Sequence, residues 1–321
     1  MKPVGGYFGL ELNKGTYSYH QVPYTFKSGR SALHFILKEC KPTLVYIPFY
    51  TCKVILQSFE LAGIAYKYYA IDDNLEPVVL PELANDEYFL YTNYFGIKDA
   101  TVNKLSNRYG HQLIVDCTQA FFTKGNGRSW FFNSCRKFFG VPDGAYLYPP
   151  DSISIKPIAG SNEAYVMEHL IKRFNGQTQE GYAAFKENET LCGPEITGMS
   201  AISEYLLSHI NYKEVIAARR ANFNSLHHIF KNQNQFAIIT DPESVPMVYP
   251  LIAPYKTNRE KLYSNGIYVP TFWAEVKEGN KKGFETESKL AESLLPLPID
   301  HRYQEADMHS MAAVIQHAYE L

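Results

Sequence analysis

Three short stretches hold residue types that could share one piece of chemistry. The first is "SCRK", Ser134–Lys137, where a lysine follows a serine by three positions and precedes a loop holding Gly140, Pro142 and Gly144. A lysine becomes a nucleophile near neutral pH only if desolvation or a nearby cation favours its neutral form. Arg136 or the cationic ring of a cofactor could supply that charge. The competing reading is a basic helix end whose charges are solvated. The second stretch is "VDCTQA", Val115–Ala120, in which an apolar run ends in Asp116, with Gln119 three residues on. A carboxylate there needs a cationic partner or a set of hydrogen bonds. It is either a helix N-cap or the partner of a protonated ring nitrogen. The third is "SGRSAL", Ser28–Leu33, a glycine turn at a helix start. Free backbone N–H groups and the helix dipole make an anion site at such a point. Arg30 would add charge to it, or else the turn is a plain N-cap with an exposed arginine.

Other features carry less. The glycines of "KGNGRS", Lys124–Ser129, follow their strand too late and open no helix, so they are expected to form a hairpin turn. His227 and His228 are adjacent on a helix and face different directions, which argues against a shared metal. The five cysteines, Cys40, Cys52, Cys117, Cys135 and Cys192, form no CxxC pair and no Cys/His cluster. No metal site and no structural disulfide is expected, and the compartment implied is the reducing cytoplasm. The start "MKPVGGYFGLELNKG" has no long apolar region of the signal-peptide kind.

The elements that must position these residues alternate. Ser28–Cys40 is expected to be a turn and a helix, with Leu33, Ile36 and Leu37 at helical spacing. Thr43–Tyr50 is expected as a proline-ended strand, Thr51–Gly63 as a helix closed by glycine, and Ala65–Asp72 as a strand. Glu87–Gly96 (strand into loop), Thr101–Gly110 (helix) and Gln112–Phe121 (opening on a strand) follow. This order predicts an α/β fold with a mostly parallel sheet covered on both faces. Its ligand site should lie at the carboxyl ends of the strands, where Tyr50–Cys52, Asn93–Gly96, Asp116 and Gln119 fall. Downstream, Met199–Gln233 is a long helical stretch with a break near Asn211, and the chain ends in an amphipathic helix. A larger unit of residues 1–225 and a smaller C-terminal α/β unit of residues 226–321 follow from this change of character.

With 321 residues, 45% hydrophobic and 20% charged, the chain has the length and apolar content for such a core. A net charge of −2 without any long basic run excludes a nucleic-acid backbone as the expected partner. No apolar run is long enough to span a bilayer.

Taken in order, these motifs resemble the fold-type-I enzymes that use pyridoxal 5'-phosphate, and among them the DegT/DnrJ/StrS family of sugar aminotransferases. "SGRSALHFIL" resembles that family's "SGTAAL" turn, and "VDCTQA" resembles its "EDAAQA". "VYIPFYTCKVILQSFELAGIAYKYYAIDDN" resembles its proline-ended strand, helix and acidic strand end. "SLLPLPIDHRYQEADMHSM" resembles its C-terminal "LPLHPGLTEEDV". The resemblance implies that Lys137 forms a Schiff base with pyridoxal phosphate, that Asp116 holds the ring nitrogen, and that Gln119 sits beside the ring. It assigns the phosphate to Gly29, Arg30, Ser31 and Ser134. It further implies an amino-acid donor such as glutamate, a keto-sugar acceptor that is nucleotide-linked, and a homodimer; the apolar "GGYFGLEL" near the start fits a buried place in one. The sequence departs from the family at Cys52, where an aromatic ring usually stacks on the cofactor, so Tyr50 or Tyr94 is expected to take that part. It departs again at "ITGMS", Ile196–Ser200, which replaces "NxRMS" and its asparagine that reaches the neighbouring subunit's phosphate. Elimination or dehydration on the same cofactor, and a non-catalytic ligand-binding role, are the alternative functions.

Overall fold

The computed structural model describes residues 10, 15, 17–160, 167–254, 259–278 and 282–319. The "GGYFGLEL" stretch, apart from Leu10, lies outside them. A short strand β1 (Thr25–Phe26) leads into helix α1 (Gly29–Cys40). Ser28 caps that helix: its backbone is extended and its hydroxyl accepts from the Ser31 N–H at 3.0 Å. Strand β2 (Leu44–Pro48) ends at its proline. A 3-10 turn and helix α2 (Leu56–Ala62) follow, closed by Gly63 in the left-handed region. Next come β3 (Ala65–Tyr69), β4 (Glu87–Thr92), α3 (Asp99–Tyr109), β5 (Leu113–Cys117), β6 (Trp130–Asn133) and β7 (Ala145–Tyr148).

These strands form one sheet in the order β1-β7-β6-β5-β4-β2-β3. The five from β6 to β3 are mutually parallel, while β7 runs antiparallel to β6 and β1 antiparallel to β7. Burial on both faces explains the unbroken apolar runs of the central strands. On one face Leu90, Ile114 and Phe132 pack with Leu33, Ile36 and Leu37 of α1. On the other, Phe89, Tyr91, Leu113 and Val115 pack with Val102 and Leu105 of α3.

The expected hairpin at Lys124–Ser129 is not formed, because β5 and β6 are parallel and the chain must travel back between them. The glycines serve close packing instead. A side chain at Gly125 would meet the Tyr148 side chain at 2.4 Å, and Gly127, at φ +74°, lies against the Asp151 carboxylate.

Two helices not anticipated from the sequence, α4 (Glu168–Phe174) and α5 (Glu180–Leu191), form a hairpin after the sheet. The long helical stretch divides into α6 (Ala201–Ser208) and α7 (Tyr212–Phe230), and the Asn211 side chain caps the second. Two strands, β8 (Val248–Ile252) and β9 (Leu294–Pro298), pair antiparallel as a separate sheet. Between them lie α8 (Arg259–Tyr263), α9 (Glu275–Glu278) and α10 (Glu285–Ser293), and α11 (Glu305–Tyr319) packs on α7. Among the described residues no helix is long and apolar enough to cross a membrane, and no cluster of metal-ligating side chains occurs. All five cysteines are free.

One buried histidine ties the segment before β1 to the sheet. His20 Nε2 donates to the Phe121 carbonyl at 2.7 Å, which leaves Nδ1 to accept from the Tyr148 hydroxyl at 2.7 Å. Burial is the main cause that lowers its pKa from 6.5 to about 3, since the charged ring loses hydration it cannot recover. The unfolded chain therefore binds a proton here that the native state refuses. His20 contributes fully to stability above pH 6.5 and loses that contribution as pH falls towards about 3. His20→Gln should be less stable than wild type at pH 7. Urea unfolding at pH 7, 6, 5 and 4 should show the gap between the two proteins closing as the medium is acidified. A gap independent of pH would mean that His20 does not titrate in this way.

Candidate active site

The carboxyl ends of the parallel strands converge on Thr118, a residue the sequence did not single out. Its N–H donates to Asp116 Oδ1 at 2.8 Å, and its hydroxyl accepts from Lys137 Nζ at 3.1 Å. Its methyl group lies where a side chain at Gly29 would begin, 2.9 Å from that position, and the Asn133 carbonyl lies 3.2 Å from it. Only glycine lets the first turn of α1 approach β5 and β6 this closely. One small residue thus joins the buried carboxylate, the lysine and the helix start.

Asp116 is buried at the end of β5. Burial raises its pKa, while the Lys137 charge and the hydrogen bonds from Thr118 hold it down. Lys137 ends a 3-10 turn, Cys135–Lys137, and its side chain is exposed. Cys135 anchors that turn from the core: its amide donates to the Gly144 carbonyl at 2.9 Å, and its side chain is fully buried. Asp143, in the glycine loop that follows, accepts from the Ser200 amide at 2.8 Å and from the Ser200 hydroxyl at 2.6 Å. The Ser203 hydroxyl also donates to it. These bonds fasten the loop after the lysine to the start of α6.

Gln119 is buried, and its amide oxygen accepts from the Phe95 N–H at 3.0 Å. Only its amide nitrogen remains for a ligand. The hydroxyl of Ser31 is spent on the segment before α6, donating to the Glu195 carbonyl at 2.7 Å and accepting from the Thr197 amide at 3.2 Å. The Arg30 guanidinium donates to the carbonyls of Glu189 and Cys192 and to Gln57, each at 2.7 Å. What α1 leaves open is the pair of amides at Gly29 and Arg30 in its first turn. The Ser134 hydroxyl makes no hydrogen bond to any described residue.

Tyr50 and Tyr94, the residues expected to stack on a cofactor, are placed inside the core. Both side chains are fully buried. Their rings stack on each other at 5.8 Å, and the Trp273 ring meets Tyr50 edge-on at 4.5 Å and Tyr94 at 5.9 Å. The two rings and Trp273 form one aromatic cluster beneath the strand ends. Cys52 remains part-exposed beside the site, and the Lys137 charge reaches its thiol. Burial raises that thiol's pKa and Lys137 opposes the rise. Of the expected residues, the fold gathers Asp116, Lys137, Cys52 and the Gly29–Ser31 turn at one place, with Gln119 and Ser134 alongside.

No protein-family model and no curated protein sequence matches the chain. Solved structures do. An aminotransferase of the DegT DnrJ EryC1 StrS group from Brucella abortus is similar with a TM-score of 0.60 at 14% identity, over 93% of this chain and 86% of that one. The sugar aminotransferase CalS13 from Micromonospora echinospora gives 0.61 at 11% identity, over 92% and 87%. GDP-4-keto-6-deoxy-D-mannose-3-dehydratase from E. coli, solved with bound hydrated PLP, gives 0.59 at 15% identity, over 94% and 87%. The likeness establishes the α/β fold that the chain shares with these structures, reached with few shared residues.

The buried tyrosine pair allows a test of where its hydroxyls matter. Tyr94 donates to the Tyr50 carbonyl at 2.8 Å, whereas the Tyr50 hydroxyl is buried without a partner. Tyr94→Phe should cost about 1 kcal/mol by removing a buried hydrogen bond. Tyr50→Phe should be neutral or slightly stabilising, because it removes an unsatisfied polar group. Chemical denaturation of both variants checks the contrast, and equal losses would contradict it.

Proposed function

We propose that the chain is a pyridoxal-phosphate-dependent aminotransferase that moves an amino group from an amino acid, glutamate in the simplest case, to a nucleotide-linked keto-sugar. The observation that carries this reading is the junction at Thr118, which joins an exposed lysine, a buried carboxylate and a helix N-terminus at the carboxyl ends of a parallel sheet. The residues present fit the cofactor. Asp116 is a carboxylate suited to a protonated ring nitrogen. The free amides of Gly29 and Arg30 and the unpartnered Ser134 hydroxyl suit a phosphate ester. Lys137 is the only lysine that donates to this junction among the described residues.

When bound, pyridoxal phosphate supplies a carbonyl that captures amines and a ring that accepts electrons. The protein's part is to hold and move protons. Asp116 would hold a proton on a ring nitrogen of the cofactor. Its burial excludes competing water, and Lys137 and Thr118 support its charged form. Lys137 Nζ, exposed and, among the described residues, hydrogen-bonded only to the Thr118 hydroxyl, would hold and release the proton exchanged at the substrate carbon. The Gln119 amide nitrogen would be available as a donor to the cofactor. We extend the proposal to a homodimer and to the division of the chain near residue 225. The fold of the sugar aminotransferases named above supports a sugar acceptor in this reading.

Incubation with pyridoxal phosphate and then borohydride should leave a stable adduct on Lys137, identified by peptide mass spectrometry. Lys137→Ala should carry none. Asp116→Asn should still retain cofactor but lose the spectral change that glutamate produces. An adduct on a different lysine, or normal glutamate turnover in Asp116→Asn, would overturn the assignment.

A further inference from the structure

Besides Lys137, three cations lie near the first turn of α1 among the described residues, and two are already spent. Lys27 is buried and paired with Glu195 at 2.9 Å. Arg30 is held by backbone carbonyls and Gln57. The third is Arg136, between Ser134 and Lys137 in the same turn. Its guanidinium face rests on the Phe185 ring, 5.5 Å from the ring centre. Its Nε and Nη2 are buried and have no hydrogen-bond partner among the described residues. Those two nitrogens form one edge of the guanidinium, the fork that takes two oxygens of an oxyanion at once.

A buried guanidinium edge without an acceptor is costly, and no carboxylate among the described residues accepts from it. Asp143 is the acid whose charge Arg136 feels, but both its oxygens are occupied by Ser200 and Ser203. The Arg136 charge also reaches the start of α1. Burial is the main cause that lowers the Arg30 pKa; the Glu189 charge opposes it, and repulsion from Arg136 adds to it. The two guanidinium charges are thus close enough to feel each other. The hydroxyl of Ser31 and the backbone of Gly193–Thr197 are engaged with one another, so they offer this anion little. Ile196 offers none, and a side chain at Gly198 would meet the Ala159 carbonyl at 2.4 Å.

We infer that Arg136 is the phosphate anchor of the cofactor site, its Nε–Nη2 edge binding two oxygens of the phosphate ester while the Gly29 and Arg30 amides and the Ser134 hydroxyl take the rest. The inference rests on the cofactor reading above and adds to it a cation from the same turn as the lysine. The anchor and the lysine are then adjacent residues of one rigid turn. Phosphate binding sets the position of Lys137 directly, with no contribution required from a second subunit's side chain.

The test compares pyridoxal phosphate with pyridoxal, which lacks the phosphate. Apo-protein is titrated with each by absorbance, and borohydride-trapped adduct on Lys137 is quantified as a second readout. Arg136→Gln should weaken pyridoxal phosphate binding by about ten- to hundred-fold, the size of a lost charge-assisted pair. It should leave pyridoxal binding within about two-fold, which also shows that the fold is intact. Arg136→Lys should fall between the two, keeping the charge without the fork. Equal losses for both ligands would make Arg136 a structural residue, and unchanged affinity for both would remove it from the site. Unchanged pyridoxal phosphate affinity with weakened glutamate binding would make it a seat for the donor's carboxylate. Each of these overturns the inference while leaving the cofactor reading in place. A wild-type protein that traps neither ligand would overturn both.

Discussion

The site depends on keeping one carboxylate charged where water is scarce. Asp116 lies at the end of a strand buried on both faces, and desolvation alone would favour its neutral form. Two things oppose that: the Lys137 charge, and a Thr118 N–H pointed at the carboxylate by the turn that leaves β5. No direct ion pair between Asp116 and Lys137 is formed; the lysine instead donates to the Thr118 hydroxyl. The lysine charge thus supports the carboxylate from nearby without a direct ion pair. A tighter salt bridge would tie the lysine down, and a wider gap would weaken its support of the buried carboxylate.

That balance explains why the helix packed beside it begins with glycine. Any side chain at Gly29 would drive into Thr118 and the Asn133 carbonyl, displacing the residue that serves both charges. The helix start is held in turn by the segment before α6. Ser28 donates to the Gly193 carbonyl at 2.9 Å, Ser31 bonds Glu195 and Thr197, and Lys27 pairs with Glu195. Of these, Ser31 is the expected phosphate ligand, and in the fold its hydroxyl fastens the helix start to this segment. Fastening leaves the backbone amides of the turn open, and a cation is then needed from elsewhere, which brings Arg136 into play.

How much of this was legible in the sequence depends on what kind of fact is asked for. Alternating apolar runs and helical spacing located β2 to β5 and α1 to α3, because burial on both faces of a sheet leaves a periodic mark. The carboxyl-end position of Asp116, Gln119 and Cys52 followed from the strand order alone. Side-chain direction did not. Ser31 and Ser134 are the same residue type in similar contexts, yet one hydroxyl is consumed by Glu195 and the other is free. Tyr50 and Tyr94 looked available beside the site, but only the fold shows Trp273 arriving from the C-terminal part to complete their burial. Thr118 carried no signal because its role is to touch three elements that are distant in sequence. The glycines of Lys124–Ser129 misled because close packing and tight turning both call for glycine, and nothing local separates the two.

The C-terminal part meets the strand ends through a repeated device in which a carboxylate accepts from a backbone amide at a strand end. Glu275 accepts from the Lys53 N–H at 3.0 Å just past β2, and Glu287 accepts from the Ile71 N–H at 2.7 Å just past β3. Glu287 is nearly inaccessible and its second oxygen is buried without a partner, so burial raises its pKa despite the bond to Ile71. Backbone strain collects at the same junction. Trp273, at φ +55°, covers Tyr50, and Phe95, at φ +56°, stacks on Phe272 at 5.8 Å. Bulky residues in the left-handed region cost about 1–3 kcal/mol each unless their surroundings compel them. Here both neighbours of the Phe95 backbone are fixed: its N–H by Gln119 and its carbonyl by the Met247 amide at 2.8 Å. Gln119 therefore does two things with one side chain. Its oxygen holds a strained loop in place against the C-terminal part, and its nitrogen makes no hydrogen bond to any described residue. The alignment of the ligand pocket and the docking of the second part are, through that residue, the same constraint.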